Sequence, residues 1–380
     1  MSWDHSERQD VRARIKVVGC GGGGGNAVNR MISAALKGVE FIAVNTDLQA
    51  LEGCSADIKV NIGRKLTRGL GSGGDWTRGR DAAEESRAEL VELLKDSDMA
   101  FVTAGMGGGT GTGSSSVVAE VAREQGALCI GVVTRPFKWE GKVRSQTADE
   151  GIRYLKDKVD ALIVIPNDRL IQMVDRRTTL EDAFRIADDV LRQGVQGISD
   201  LIVNPGVINL DFADVKSIMS EAGEALMAIG FGSGDNRAED AAKQAVSSQL
   251  LETTIDGARG ILFNITAGRD ITLFECESAA EIIRASVDPG ANLIFGVVND
   301  DRLQDEVKIT LIATGFQRSQ SQATAESVVV EKSPASIEMA DVTPAVKELV
   351  STPVAQMPDL APVTTEAEDL DIPAFLRKRF

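Results

Sequence analysis

The chain has 380 residues, 43% hydrophobic but only 4% aromatic, and a formal net charge of −16. That length allows two domains of roughly 100–200 residues each, and the acidic surface argues against nucleic acid, whose phosphates demand basic groups. One histidine, His5, and four cysteines without a C-x-x-C pair leave no material for a Ser-His-Asp triad, a zinc site or a disulfide framework.

The N-terminal MSWDHSERQD has no apolar stretch and does not read as a signal peptide. From residue 14, short β-branched runs alternate with helical stretches. Strands are expected over 15–18, 41–44, 57–60, 99–103, 128–134 and 161–165, and helices over 26–36, 80–94, 115–124 and 144–158. Such alternation gives a doubly wound parallel sheet, which binds ligands at the carboxyl ends of its strands. The longest uncharged run, 99–119, is too rich in Gly, Ser and Thr for a membrane span. A cytoplasmic chain without direct membrane insertion is therefore expected.

Thr178 and Glu181 then read as a capping box. Leu180, Phe184, Ala187, Leu191, Val195, Ile198 and Ile202 follow at steps of three and four. They imply an amphipathic helix whose stripe runs about 35 Å, suited to a spine between domains. Beyond Asn204-Pro205-Gly206, helices over 212–220, 237–248 and 279–286 mix with strands over 261–267, 292–298 and 306–313 as a smaller α/β domain. The stretch 317–369 lacks glycine and aromatic residues but holds half the prolines, the composition of a disordered linker. It ends in LDIPAFLRKRF, whose crowded apolar residues read as a docking peptide. The expected divisions are a tail (1–13), a nucleotide-binding domain (14–177), a central helix (178–203), a C-terminal α/β domain (204–316), a linker (317–369) and a docking peptide (370–380).

Two glycine-rich loops carry the chemistry. Gly19-Cys20-Gly21-Gly22-Gly23-Gly24-Gly25-Asn26 lies between strand and helix, where backbone amides and a helix N-terminus can meet phosphate oxygens. Gly19, Gly21 and Gly24 also match G-x-G-x-x-G, so a dinucleotide oxidoreductase has to be weighed. The second loop, Gly107-Gly108-Gly109-Thr110-Gly111-Thr112-Gly113, again follows a strand. Two cradles in one sheet suit a di- or triphosphate better than a dinucleotide. No G-x-x-x-x-G-K-[ST] is present, which excludes a P-loop enzyme. A third stretch, Gly69-Leu70-Gly71-Ser72-Gly73-Gly74, reads equally as a loop closing on the terminal phosphate and as a surface turn.

GGGTGTG at 107–113 is the tubulin-family signature. With NTD at 45–47, TRPF at 134–137, LRQGVQGI at 191–198 and NLDFAD at 209–214, the chain resembles the FtsZ family of tubulin-like cell-division GTPases from about residue 14 to 316 and again at Asp371-Ile372-Pro373. The resemblance implies that Gly21, Gly22, Gly23, Gly24, Gly25 and Asn26 hold the phosphates of GTP or GDP with Gly107, Gly108, Gly109, Thr110, Gly111, Thr112 and Gly113. Thr134, Glu140 and Arg144 match positions near ribose and phosphates, although Glu140 and Arg144 also suit a plain i, i+4 ion pair. Asn167 and Asp188 match positions that read the guanine edge. Phe184 matches the residue stacked on the base, while periodicity alone makes it a core residue.

Asn209, Asp211 and Asp214 match the family's catalytic segment. Alone, Asp211 and Asp214 read equally as an N-cap and a first-turn acid. By resemblance they serve the next subunit's nucleotide in a head-to-tail filament, with a Mg²⁺ offsetting phosphate charge. The same resemblance implies a homopolymer at the mid-cell division ring, reaching membrane tethers and division regulators through 371–380. A non-polymerising, non-hydrolysing regulator is the remaining alternative, against which the intact acids speak. The unusual GDWT at 74–77 is a departure that bears on the third loop's mobility.

Overall fold

The computed structural model describes residues 13–173, 175, 177–203, 206, 208, 210–251 and 254–316. Residues 1–12 of the expected tail, Asn209, the linker and the docking peptide lie outside them.

The first six strands are β1 (Ile15–Cys20), β2 (Val39–Asn45), β3 (Ile58–Asn61), β4 (Met99–Gly105), β5 (Leu128–Arg135) and β6 (Ala161–Pro166). They form a parallel sheet in the order β3-β2-β1-β4-β5-β6. Their near-continuous Val, Ile and Ala runs are what strands covered on both faces require. Val17, Phe101 and Val132 pack on one side with the helices Gly21–Ser33 and Leu180–Val203. Val18, Val102 and Val133 pack on the other with Trp76–Glu85, Arg87–Leu94, Thr110–Glu124 and Lys142–Lys156.

The order reverses at the β1/β4 pair, so the crevice beyond their carboxyl ends is the sheet's switch point. Both glycine segments sit there.

One strand has no counterpart in the sequence reading. β7 (Gly223–Ser233) starts parallel to β6 and continues antiparallel to β10 (Glu306–Thr314). With β8 (Gly260–Ala267) and β9 (Asn292–Asn299) it extends one ten-stranded sheet, so the second half of the fold is a continuation of the first.

Several boundaries differ for identifiable reasons. The expected helix over 80–94 is two helices, Trp76–Glu85 and Arg87–Leu94, broken at Ser86. Asp75 caps the first by accepting from the amides of Thr77 and Arg78. The spine helix is capped one residue later than expected. Thr179 Oγ1 accepts from the Asp182 amide at 3.1 Å and donates to the Asp182 carboxylate at 2.7 Å. A threonine pair offers two registers for the same cap, and Thr179–Asp182 is the one used.

Candidate nucleotide site

The glycine segments are not loops along their whole length. The first helix starts at Gly21 and the signature helix at Thr110, so five glycines and the TGTG residues form their opening turns. Helix propensity argues against glycine there, but tertiary contact overrides it. Gly21 has φ +69, and a Cβ on it would lie 2.6 Å from the Gly111 amide nitrogen. The two helix N-termini are pressed backbone to backbone, and their unpaired amides converge on the crevice.

Within the signature segment, the Thr112 hydroxyl accepts from the Gly107 amide at 2.9 Å and closes the turn. Thr112 therefore braces the cradle rather than facing it. Thr110 opens the helix, its hydroxyl 2.6 Å from that of Thr46 and 3.1 Å from that of Ser72. Ser72 ties the third glycine stretch down beside the signature segment, and the Gly71 amide donates to the Thr46 carbonyl. Thr134 is buried at the end of β5, its carbonyl accepting from the Met106 amide. Cys20, between strand and glycines, is pushed up to about 12 by burial, against a lowering hydrogen bond to Ser114. It is a neutral packing thiol.

Two adjoining cavities run away from the cradle. One, of about 210 Å³, is lined by Gly21, Gly22, Gly25, Asn26 and the segment just after β2. The other, of about 360 Å³, is lined by Asn26, Asn29, Arg30, Phe184, Arg185 and Asp188. Asn26 and Asn29 belong to both, so a trough leads from the phosphate cradle to the start of the spine helix. A larger cavity of about 580 Å³ between β6, β7 and Phe316 touches neither glycine segment. The paired helix N-termini make the trough the candidate site, whatever the relative volumes.

Phe184 is 39% exposed, which corrects the core assignment from periodicity. It stands edge-on to Phe137 and Trp139 at centroid distances of 5.7 and 6.1 Å. Phe137 closes the TRPF motif, but neither ring was read from the sequence as a partner of Phe184, and Trp139 escaped it altogether. Burial pushes Asp188 up to about 7, against the pull of Arg30 and with a further push from Asp189. Asn167 is buried at the carboxyl end of β6, and its Oδ1 has no hydrogen-bond partner. An acceptor in that state favours an N–H-bearing ligand.

Glu140 and Arg144 do form the plain ion pair, at 3.1 Å. Glu140 also accepts from the Phe137 amide at 2.9 Å. Its carboxylate is committed to the turn that carries Phe137, leaving the half-exposed Arg144 guanidinium as the group facing outward.

Asp211 and Asp214 are not brought to the trough. The spine helix leaves the carboxyl edge of β6 and ends with Val203 packed against Gly38, just before β2, on the opposite edge. Its 24 residues span about 36 Å, and Asp211 follows that far end. There Asp211 caps the helix Phe212–Met219, its Oδ1 accepting from the Asp214 amide at 2.8 Å. Asp211 is exposed and Asp214 partly so, both on the opening turn of that helix.

Paired helix N-termini at a switch point, without a P-loop, define a nucleoside-phosphate-binding α/β protein with a long internal helix. Residues 14–175 match the Tubulin/FtsZ family GTPase domain, and residues 223–317 match the FtsZ family C-terminal domain. The empty FtsZ dimer of M. jannaschii is similar with 45% identity and a TM-score of 0.78, over 81% of this chain and 89% of that one. CetZ2 from Haloferax volcanii, described as a GTPγS-bound protofilament, shares the fold at 20% identity and TM-score 0.67, over 81% of this chain and 94% of that one. GDP-bound CetZ1 of the same organism gives 20% and 0.66, over 80% and 95%. The chain belongs to the tubulin/FtsZ family, in its FtsZ branch.

Proposed function

We propose that the chain binds and hydrolyses GTP and polymerises head to tail, each subunit supplying the acids that complete its neighbour's site. The observation that carries this reading is the separation just described: a cradle on one edge of the sheet and the acid pair Asp211 and Asp214 beyond the far end of the spine helix. A single copy holds both halves of a hydrolytic site and cannot use them together. A heterologous contact brings one subunit's acids to the next subunit's cradle, and because it does not close on itself it generates a filament.

In this reading the opening turns at Gly21 and Thr110 take the phosphates on backbone amides. Asp188 and Asn167 accept from the guanine N–H groups, and adenine would leave those buried acceptors unpaired. Phe184 supports the base. Asp211 and Asp214 orient the attacking water, with Asn209 beside them in sequence. No group of three or more His, Cys, Asp or Glu among the described residues is placed to hold a metal. A Mg²⁺ would offset the charge of the bound phosphates. In this reading the filament forms the mid-cell division ring, and 371–380 reaches membrane tethers and regulators. No helix among the described residues is long and apolar enough to cross a membrane.

The test is GTP turnover per subunit across protein concentration. Shared sites give a specific activity that vanishes below a threshold and rises with light scattering above it. Activity independent of concentration would show that each subunit hydrolyses alone and remove the proposal.

A further inference from the structure

Three hydroxyls from three separate segments meet beside the phosphate cradle. Thr46 follows β2, Ser72 lies in the third glycine stretch, and Thr110 opens the signature helix; all three are buried. Thr110 Oγ1 is the middle atom, 2.6 Å from Thr46 Oγ1 and 3.1 Å from Ser72 Oγ. Each hydroxyl carries one proton, and each contact consumes one. Three protons and two contacts leave one donor over, in a place with almost no access to water. Of the three donor patterns this permits, one leaves the spare proton on the middle atom: Thr46 and Ser72 both donate to the lone pairs of Thr110, whose own proton is then free. Accepting two hydrogen bonds polarises that O–H and makes it a stronger donor to an anion.

We propose that Thr46 and Ser72 are positioning residues that fix the Thr110 hydroxyl as a donor to the terminal phosphate of a bound triphosphate. Ser72 carries the consequence outward. Its oxygen lies where a Cβ on Gly109 would come within 2.1 Å, so Ser72 packs directly on the signature segment as well as bonding to Thr110. Occupancy of the terminal phosphate position is thereby felt by the third glycine stretch and by the Trp76–Glu85 helix that Asp75 caps.

The inference rests on the nucleotide reading of the trough, and the experiment separates the two. GTP and GDP affinities are measured by fluorescent-nucleotide displacement for the wild type, Ser72→Ala, Thr46→Val and Thr46→Ser, with unliganded melting as a control. A general packing defect weakens both nucleotides alike. A lost orientation of Thr110 weakens GTP selectively, by about five- to tenfold for one compromised charge-assisted hydrogen bond, while Thr46→Ser keeps the wild-type ratio. An unchanged GTP-to-GDP ratio in both Ser72→Ala and Thr46→Val overturns the inference and leaves the nucleotide site standing. Failure of both variants to fold assigns the hydroxyls to structure and overturns it too. A wild type that binds neither nucleotide removes the nucleotide reading and, with it, this role.

Discussion

At Asp188 a half-buried carboxyl sits beside Phe184 in the trough, pushed up to about 7 by burial. Its folded value lies above its unfolded one, so the stability it contributes is complete below the unfolded value of 3.8 and is lost as pH rises through about 7. In the proposed site guanine would reverse the preference, since its ring N–H and exocyclic amine would donate to the ionised form. Binding must then release a proton over this range. GTP affinity is expected to climb by up to about tenfold per pH unit below 7 and to flatten above it. Asp188→Asn should bind weakly with a flat profile, as read by nucleotide titration at a series of pH values. An equally steep profile in that variant would assign the titration to another group. This residue's place in the site was legible only by resemblance to a family, because an aspartate inside an amphipathic helix carries no local sign of facing a ligand. Phe184 was ambiguous for a related reason: the stripe that marks core residues runs on past the helix's buried part, and Leu180 is likewise exposed. Trp139 and Phe137 gave no periodic signal at all, since they lie on a short turn held by Glu140.

Among the elements, β7 is the one that the sequence concealed and the sheet depends on. Its Glu-Ala-Leu-Met-Ala run favours helix, and two glycines interrupt the remainder. The packing explains those glycines. A Cβ on Gly230 would lie 1.9 Å from the Ala241 carbonyl oxygen and 2.6 Å from the Ala245 nitrogen, both backbone atoms of the helix Arg237–Val246. The helix lies directly on the strand, with four alanines, Ala238, Ala241, Ala242 and Ala245, buried on its contact face. No side chain at Gly230 can be accommodated by a rotamer change; the helix itself has to move. Gly230→Ala is therefore expected to cost about 2–3 kcal/mol, at the upper end for overpacking, seen as a lower melting temperature and urea midpoint. Gly234→Ala serves as the control, since it has nothing within 4 Å but a φ of +78, and should cost only about 1 kcal/mol of backbone strain. The parallel strands were far easier to read, because burial on both faces writes unbroken Val and Ile runs into the sequence. The glycine helices were misjudged in extent because their opening turns are stabilised by contact between two distant segments, which no local propensity records.

For the whole molecule, the question is whether a complete hydrolytic site belongs to one subunit or to two. Two variants that break different halves decide it. Asp214→Ala removes an acid and leaves the cradle untouched. Gly22→Asp spoils the cradle and leaves the acids: a Cβ at Gly22 meets nothing within 4 Å, so the fold tolerates it. Its carboxylate, in the first turn of the helix, repels the phosphates that the turn is proposed to hold. Each variant alone should be inactive above the assembly threshold. In an equal mixture, a productive contact needs an Asp214→Ala subunit as cradle and a Gly22→Asp subunit as acid donor. Random head-to-tail pairing supplies that contact at about one junction in four. Turnover should therefore recover to about a quarter of the wild-type value, and should fall away on dilution with the assembly signal. Sites contained within one subunit cannot be repaired by mixing, so an equal mixture as dead as its components would place the acids and the cradle in the same copy. Removing 370–380 from both variants should leave this recovery unchanged, because the tail is proposed to dock partners and not to form the junction. A recovery that needs the tail would instead make it part of the subunit contact.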